Sequence, residues 1–205
     1  MKGIILAKEK SQRLSLNKAF IEIEGEFLIE RIIKIIKPYC KDILIISDDQ
    51  RLSQFGKRFE DIFKEKGPIS GLYTGLYYSD CERNLVLASD MPFLENPLIE
   101  YIIRNSECGI RNAECKNVNG NFQAIVPVID GKKEPFCAIY LKETLPLIKE
   151  QIENNELSLQ GLIKRLNVKY VKCNKFKNCF FNLNREEDLV KCLGFIKKRW
   201  GLEED

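Results

Sequence analysis

Apolar and polar positions along the chain fall into short alternating blocks, and the spacing inside each block separates strands from helices. Lys2 to Ala7 is a short, β-branched apolar run closed by the polar stretch Lys8 to Asn17, which predicts a buried strand feeding a loop. Phe27, Leu28, Ile32, Ile33, Ile35 and Ile36 then recur at near-helical spacing until Pro38 stops the run. Ile43 to Ile46 reads as the next strand, ending at Ser47-Asp48-Asp49. The order repeats with a helix after Gly67-Pro68 that carries Leu72 and Leu76, followed by a strand over Leu85 to Ala88 that ends at Ser89-Asp90. Asn96-Pro97 predicts a helix start, with asparagine as the cap and proline at the first helical position.

In the second half, Gln123 to Asp130 alternates like a strand, Asp130-Gly131 marks a turn, and Phe136 to Tyr140 is the expected hairpin partner. Lys142 to Asn154 and Ser158 to Leu166 read as helices, Val168 to Cys173 as a strand, and Arg185 to Trp200 as an amphipathic terminal helix. Strands alternating with helices predict an α/β fold: a Rossmann-like three-layer sandwich around a mainly parallel sheet, mixed at its edge, in a single domain over 1–205. In such a sheet ligands bind where loops leave the carboxyl ends of the strands. The loops after Ala7, Ser47 and Ala88 are therefore expected on one side, bringing Lys8 to Lys18 near Asp90.

Charge narrows the class of ligand. Thirty-three Lys and Arg against 30 Asp and Glu leave a net charge of +3, too balanced for a surface that coats a nucleic acid. The first apolar run is too short for a signal-peptide core or a membrane span, so a cytoplasmic protein is expected. The chain has no histidine, which removes a Ser-His-Asp triad, a Cys-His pair and a His-bound zinc together. Any metal must then be held by oxygen or sulfur, and oxygen ligands favour magnesium. The eight cysteines are scattered without a CxxC pair and are expected to be mostly reduced core residues; Cys108 with Cys115, and Cys173 with Cys179, are close enough in sequence to bridge.

Five segments carry a more specific signal. Leu6-Ala7-Lys8-Glu9-Lys10-Ser11-Gln12-Arg13-Leu14-Ser15-Leu16-Asn17-Lys18 resembles the signature loop L-A-G-G-x-S-x-R-M-G-x-x-K of nucleotidyltransferases, with Leu6, Ala7, Ser11, Arg13 and Lys18 matching. Gly67-Pro68-Ile69-Ser70-Gly71-Leu72, with Asp61 six residues upstream, is similar to a G-P-L-x-G segment, and Leu87-Ala88-Ser89-Asp90-Met91-Pro92 to a metal-binding strand end. Glu134 to Tyr140 and Phe181 to Leu189 look like later segments of the same group. Their order across nearly the whole chain resembles the molybdenum-cofactor guanylyltransferase family.

That resemblance implies transfer of GMP from magnesium GTP to the phosphate of a molybdopterin cofactor, giving a guanine dinucleotide and pyrophosphate. Leu6, Ala7, Lys8, Lys18, Asp61, Gly67, Gly71 and Asp90 are the implied nucleotide contacts. Arg13, Lys18 and Asp90 take the catalytic roles, with Asp90 as the magnesium ligand and Asn182 and Asn184 facing the cofactor substrate. The expected protein partners act in molybdenum insertion or molybdoenzyme maturation.

Each residue also has a plain structural reading. Asp90 and Asp61 are ordinary loop carboxylates in that view, and Lys18 and Arg13 are solvated surface charges. Asn184 with Glu187 reads as a helix capping box, which leaves Asn182 as the better ligand candidate. The chain departs from the family at Lys8-Glu9, where two glycines normally let backbone N–H groups curl around phosphates. A cytidylyltransferase using CTP and a nucleotide-binding module without turnover therefore stay open beside the guanylyl reading.

Overall fold

The computed structural model describes residues 1–7, 17–107, 122–185, 187–192 and 194. The elements run β1 (Lys2–Leu6), β2 (Glu22–Ile23), β3 (Glu26–Phe27), α1 (Leu28–Ile36), β4 (Ile43–Ile46), β5 (Lys57–Phe59), α2 (Pro68–Tyr78), β6 (Arg83–Ala88) and α3 (Asn96–Glu107). They continue through β7 (Ala124–Ile129), β8 (Lys132–Lys133), β9 (Cys137–Leu141), α4 (Leu145–Glu153), α5 (Leu159–Arg165) and β10 (Val168–Lys172). Of the expected terminal helix, residues 187–192 are helical and 195–200 lie outside the described residues.

The main sheet has the order β10-β7-β9-β6-β1-β4-β5, with β8 paired to β7. β1 is parallel to both β4 and β6, β4 to β5, and β7 to β10. Strand β9 is antiparallel to β6 on one side and β7 on the other. The mixed part of the sheet is thus its interior, not its edge, because the strand expected to be the hairpin partner of β7 is inserted beside β6. At the Asp130-Gly131 turn itself the partner is the two-residue β8. Both turn residues have positive φ, 49° and 79°, the backbone that matches hairpin twist.

Successive residues of the central strands face opposite layers, which is why they read as continuous apolar runs. Ile5, Ile45, Leu85 and Leu87 pack with α1 and α3 in one core. Ile4, Leu44, Ile46 and Val86 pack with α2, α4 and α5 in the other. Gly75 permits the closest approach: a Cβ there would stand 2.4 Å from Ile4 Cγ2. The result is the expected three-layer α/β sandwich.

The start of α3 differs from the sequence reading. The carbonyl of Glu95 accepts from the N–H groups of Leu98 and Ile99, so Asn96 lies inside α3 and Pro97 is its second residue. The β2–β3 hairpin and edge strand β5 are too short to produce a periodic signal. No helix among the described residues is long and apolar enough to cross a membrane. The six described cysteines are free; Cys173 and Cys179 are buried without bridging, and Cys108 and Cys115 lie outside the described residues.

Candidate active site

The chain first moves outward from β1 through β4 to β5, and then returns to place β6 on the other side of β1. The crevice between the carboxyl ends of β1 and β6 is therefore the topological switch point. Backbone bonds hold its rim: Ser89 N–H donates to Leu6 O at 3.1 Å, and Ala7 N–H to Ile46 O at 2.9 Å. Leu183 N–H donates to Asp90 O at 3.0 Å, which brings a late chain segment onto the end of β6.

Three charged or amide side chains meet there. Lys18, in a short 3-10 turn over Lys18–Phe20, donates from Nζ to Asp90 Oδ2 at 3.1 Å and to Asn184 Oδ1 at 3.2 Å. The Lys18 side chain is only 3% exposed and that of Asp90 16%. Removing an ammonium from water is costly unless a counter-charge and hydrogen bonds compensate it. Asp90 and Asn184 supply both from segments 72 and 166 residues away.

Asn184 was expected mainly as a helix cap, with Asn182 as the ligand candidate. In the fold Asn184 is the one whose amide meets the Lys18 ammonium. The cap is supplied instead by Asp188, whose Oδ2 accepts from the N–H groups of Asn184 and Arg185, both at 2.9 Å. Asn182 is half-buried in the same segment. Lys8 and Arg13 lie outside the described residues.

Asp61 is buried, two residues beyond β5. A Cβ on Gly71 would stand 3.6 Å from Asp61 Oδ1 and 3.2 Å from Leu6 Cδ2, so this glycine keeps the second turn of α2 close to both. Gly67 precedes α2 with φ of 67°, a left-handed conformation in which its lack of a Cβ is useful. Three strand spacings separate β5 from β6, about 14 Å in all. Asp61 nonetheless reaches back along this row, because through Gly71 it approaches Leu6 at the carboxyl end of β1, the strand beside β6.

Beyond Asp90, toward β7, a cavity of about 1140 Å³ opens; its lining includes Pro92, Phe93, Phe181, Lys132, Glu134 and Lys177. The Phe93 and Phe181 rings pack with centroids 5.6 Å apart. Lys177 pairs with Asp130 at 2.6 Å, and burial raises the Glu134 carboxyl pKa above its ordinary value.

A family model described as the MobA-like NTP transferase domain matches residues 3–169, which include most of β1 and Lys18, Asp61 and Asp90. The chain belongs to the MobA-like NTP transferase family. It is accordingly a nucleotidyltransferase. A relative from Clostridium perfringens, named probable molybdenum cofactor guanylyltransferase, is 31% identical and aligns over 91% of this chain and 94% of its own length. One of the same name from Bacillus cytotoxicus is 27% identical over 96% and 98%. A solved structure of molybdopterin-guanine dinucleotide biosynthesis protein A from Archaeoglobus fulgidus has a TM-score of 0.77 at 22% identity, covering 97% of this chain and all of that one.

The family loop also passes through residues not foreseen as part of the site. Asn17 Oδ1 accepts from Ala19 N–H at 3.1 Å, and its Nδ2 donates to Ala7 O at 3.5 Å and Asp49 Oδ2 at 3.4 Å. In the sequence Asn17 is only the neighbour of a motif lysine, and Asp49 only the polar end of a strand. Their meeting depends on β4 lying beside β1.

Proposed function

We propose that the protein transfers GMP from magnesium GTP to the phosphate of a molybdopterin-type cofactor. The observation that carries this reading is the convergence of Lys18, Asp90 and Asn184 at the β1/β6 switch point. Nucleotidyl transfer needs fixed positive charge at the phosphates and an acceptor aligned for in-line attack. Proteins named molybdenum cofactor guanylyltransferase that align along nearly the full chain support the choice of substrates.

In this reading the acceptor phosphate oxygen bonds to the α-phosphorus of GTP while the bond to pyrophosphate breaks. The Lys18 ammonium leaves Asp90 to bind the nucleotide phosphates, and Asn184 keeps it directed into the crevice. Asp61, with Gly71 beside it, accepts from the guanine N–H edge, and Gly67 lets the loop before α2 come close to the base. Leu6, Ala7 and Lys8 border the nucleotide, and Arg13 binds the pyrophosphate end. Asn182 and the Phe93–Phe181 side of the cavity receive the molybdopterin.

Among the described residues there is no cluster of three metal-ligating side chains. A single carboxylate at a strand end suits magnesium, which commonly uses one or two protein carboxylates and takes its other ligands from phosphates and water. Asp90 would hold it, and the ion when bound supplies neutralisation of phosphate charge.

The test is to incubate the purified protein and molybdopterin with magnesium and either GTP or CTP, with mass detection of products. Guanine dinucleotide and pyrophosphate in equal amounts are expected. Product from CTP alone would replace the guanylyl reading with a cytidylyl one, and GTP binding without product would make the chain a binding module.

A further inference from the structure

The Lys18 turn is fastened at both ends, and both fastenings lead to one carboxylate. At its start, Asn17 closes the turn through Ala19 N–H and ties it to Ala7 O and Asp49 Oδ2. At its end, Phe20 lies under the Arg51 guanidinium, whose Cζ is 4.5 Å from the ring centroid. That guanidinium grips Asp49 with two bonds, Nε to Oδ1 at 3.0 Å and NH2 to Oδ2 at 2.6 Å. Asp49 also accepts from the Arg51 backbone N–H at 3.1 Å. These bonds, led by the Arg51 side chain and including the Asn17 amide, hold the Asp49 carboxyl pKa at about 2.

Asp49 is thus ionised throughout the neutral range and stands at the carboxyl end of β4, where Ser47 Oγ donates to Ala7 O at 2.9 Å and Asp49 N–H donates to Ser47 Oγ at 3.1 Å. The turn that presents Lys18 is thereby bolted to the ends of both β1 and β4.

We infer that Asn17, Asp49 and Arg51 form a positioning clamp that fixes the Lys18 ammonium at the phosphate crevice. The inference rests on the proposed triphosphate site and assigns these residues a role without contact to the nucleotide. An ammonium on a flexible stem loses freedom on binding, and pre-placement lowers that cost. The clamp places Lys18 through the ends of β1 and β4.

The experiment is calorimetry with magnesium GTP on the full chain, repeated with magnesium CTP, for Asn17→Ala, Asp49→Ala and Arg51→Ala, each alone and combined with Lys18→Met. Melting curves accompany every variant. Affinity is expected to fall about tenfold for the Asn17 and Asp49 changes and a few-fold for Arg51→Ala, because coupled neighbours commonly differ by such factors. In the Lys18→Met background the same changes are expected to cost nothing further, since there is no ammonium left to place.

Equal losses with and without Lys18 would overturn the clamp and mark these residues as direct contacts or general supports. Unchanged affinity in all three single variants would overturn it as well. Arg51 has a largely exposed side chain, so Arg51→Ala keeps the test decisive if Asn17→Ala fails to fold. Failure of the unaltered chain to bind either triphosphate would overturn the functional reading itself, an outcome distinct from a null result in the variants alone.

Discussion

Two buried lysines stand at opposite ends of strand β1, Lys2 within the strand and Lys18 in the turn packed at its carboxyl end, and the two differ in what surrounds them. Lys2, at the amino end, has a side chain only 7% exposed and reaches outward to Asp80 at 2.9 Å and Asp42 at 3.6 Å. Asp80 is largely solvated, and Asp42, partly exposed, is shared with Lys57 at 2.6 Å. Lys18, just beyond the carboxyl end, is directed into a crevice assembled from three remote segments, with a less exposed carboxylate and an amide. Burial and pairing are common to both. The topological switch point and the convergence of non-local polar groups distinguish Lys18, and these are properties of the sheet order more than of either residue.

The largest expected effect breaks this comparison at Lys18. Lys18→Met is expected to lower turnover by about a thousandfold, the scale set by removal of an electrostatic transition-state contact, while far-ultraviolet spectra stay unchanged. Loss of the fold instead would place Lys18 with Lys2 as a structural cation. Gly75→Ala should disturb β1 without touching either lysine. The crowding against Ile4 is expected to cost about 1–3 kcal/mol, lowering the melting temperature by roughly 2–4 °C for each kcal/mol. Turnover of the folded fraction, measured well below the transition, should remain near that of the unaltered protein.

A smaller effect is expected in the cavity beyond Asp90. Phe181→Ala should raise the KM for the molybdopterin acceptor about tenfold through lost packing, with magnesium GTP affinity unchanged by calorimetry. A matching loss for GTP would erase the division between nucleotide and acceptor sides.

The smallest effect belongs to Lys2 and is a matter of pH. Burial alone would depress its pKa, but the hydrogen bond and charge of Asp80 and the charge of Asp42 outweigh that, and the net shift is upward. Its contribution to stability is present below the unfolded lysine value, about 10.4, and is lost as pH rises through the higher folded value. Asp80 is lowered to about 2, first by the Lys2 hydrogen bond and then by the Cys81 thiol. Its contribution is present above about 3.9 and disappears as pH falls through the folded value. Lys2→Met should flatten both limbs of the melting-temperature profile and leave turnover at neutral pH intact.

How much of this could be read along the chain depended on the range of the interactions. The buried strands β1, β4 and β6 and helix α2 follow from apolar runs and breakers such as Pro38 and Gly67. The same runs carry the strand-end position of Asp90. The antiparallel pairing of β9 with β7 followed, but its place beside β6 did not, because a hairpin turn at Asp130-Gly131 fixes local direction but cannot report that β6 offers a free edge for Cys137–Leu141. The reading of Asn184 as a cap failed for a related reason. Asp188 takes the backbone N–H groups at that helix start, and only the fold reveals that the Asn184 amide meets Lys18 across 166 residues. The Asn17–Asp49 link likewise requires two adjacent strand ends that are separated by a helix in sequence.

The most direct test of the central claim is parallel product analysis of the unaltered protein and Lys18→Met, each supplied with molybdopterin, magnesium and GTP. The unaltered chain is expected to form guanine dinucleotide and pyrophosphate in equal amounts, with product formation falling about a thousandfold in the variant. Equal product formation by both proteins, or none from GTP with the unaltered chain, would contradict the account.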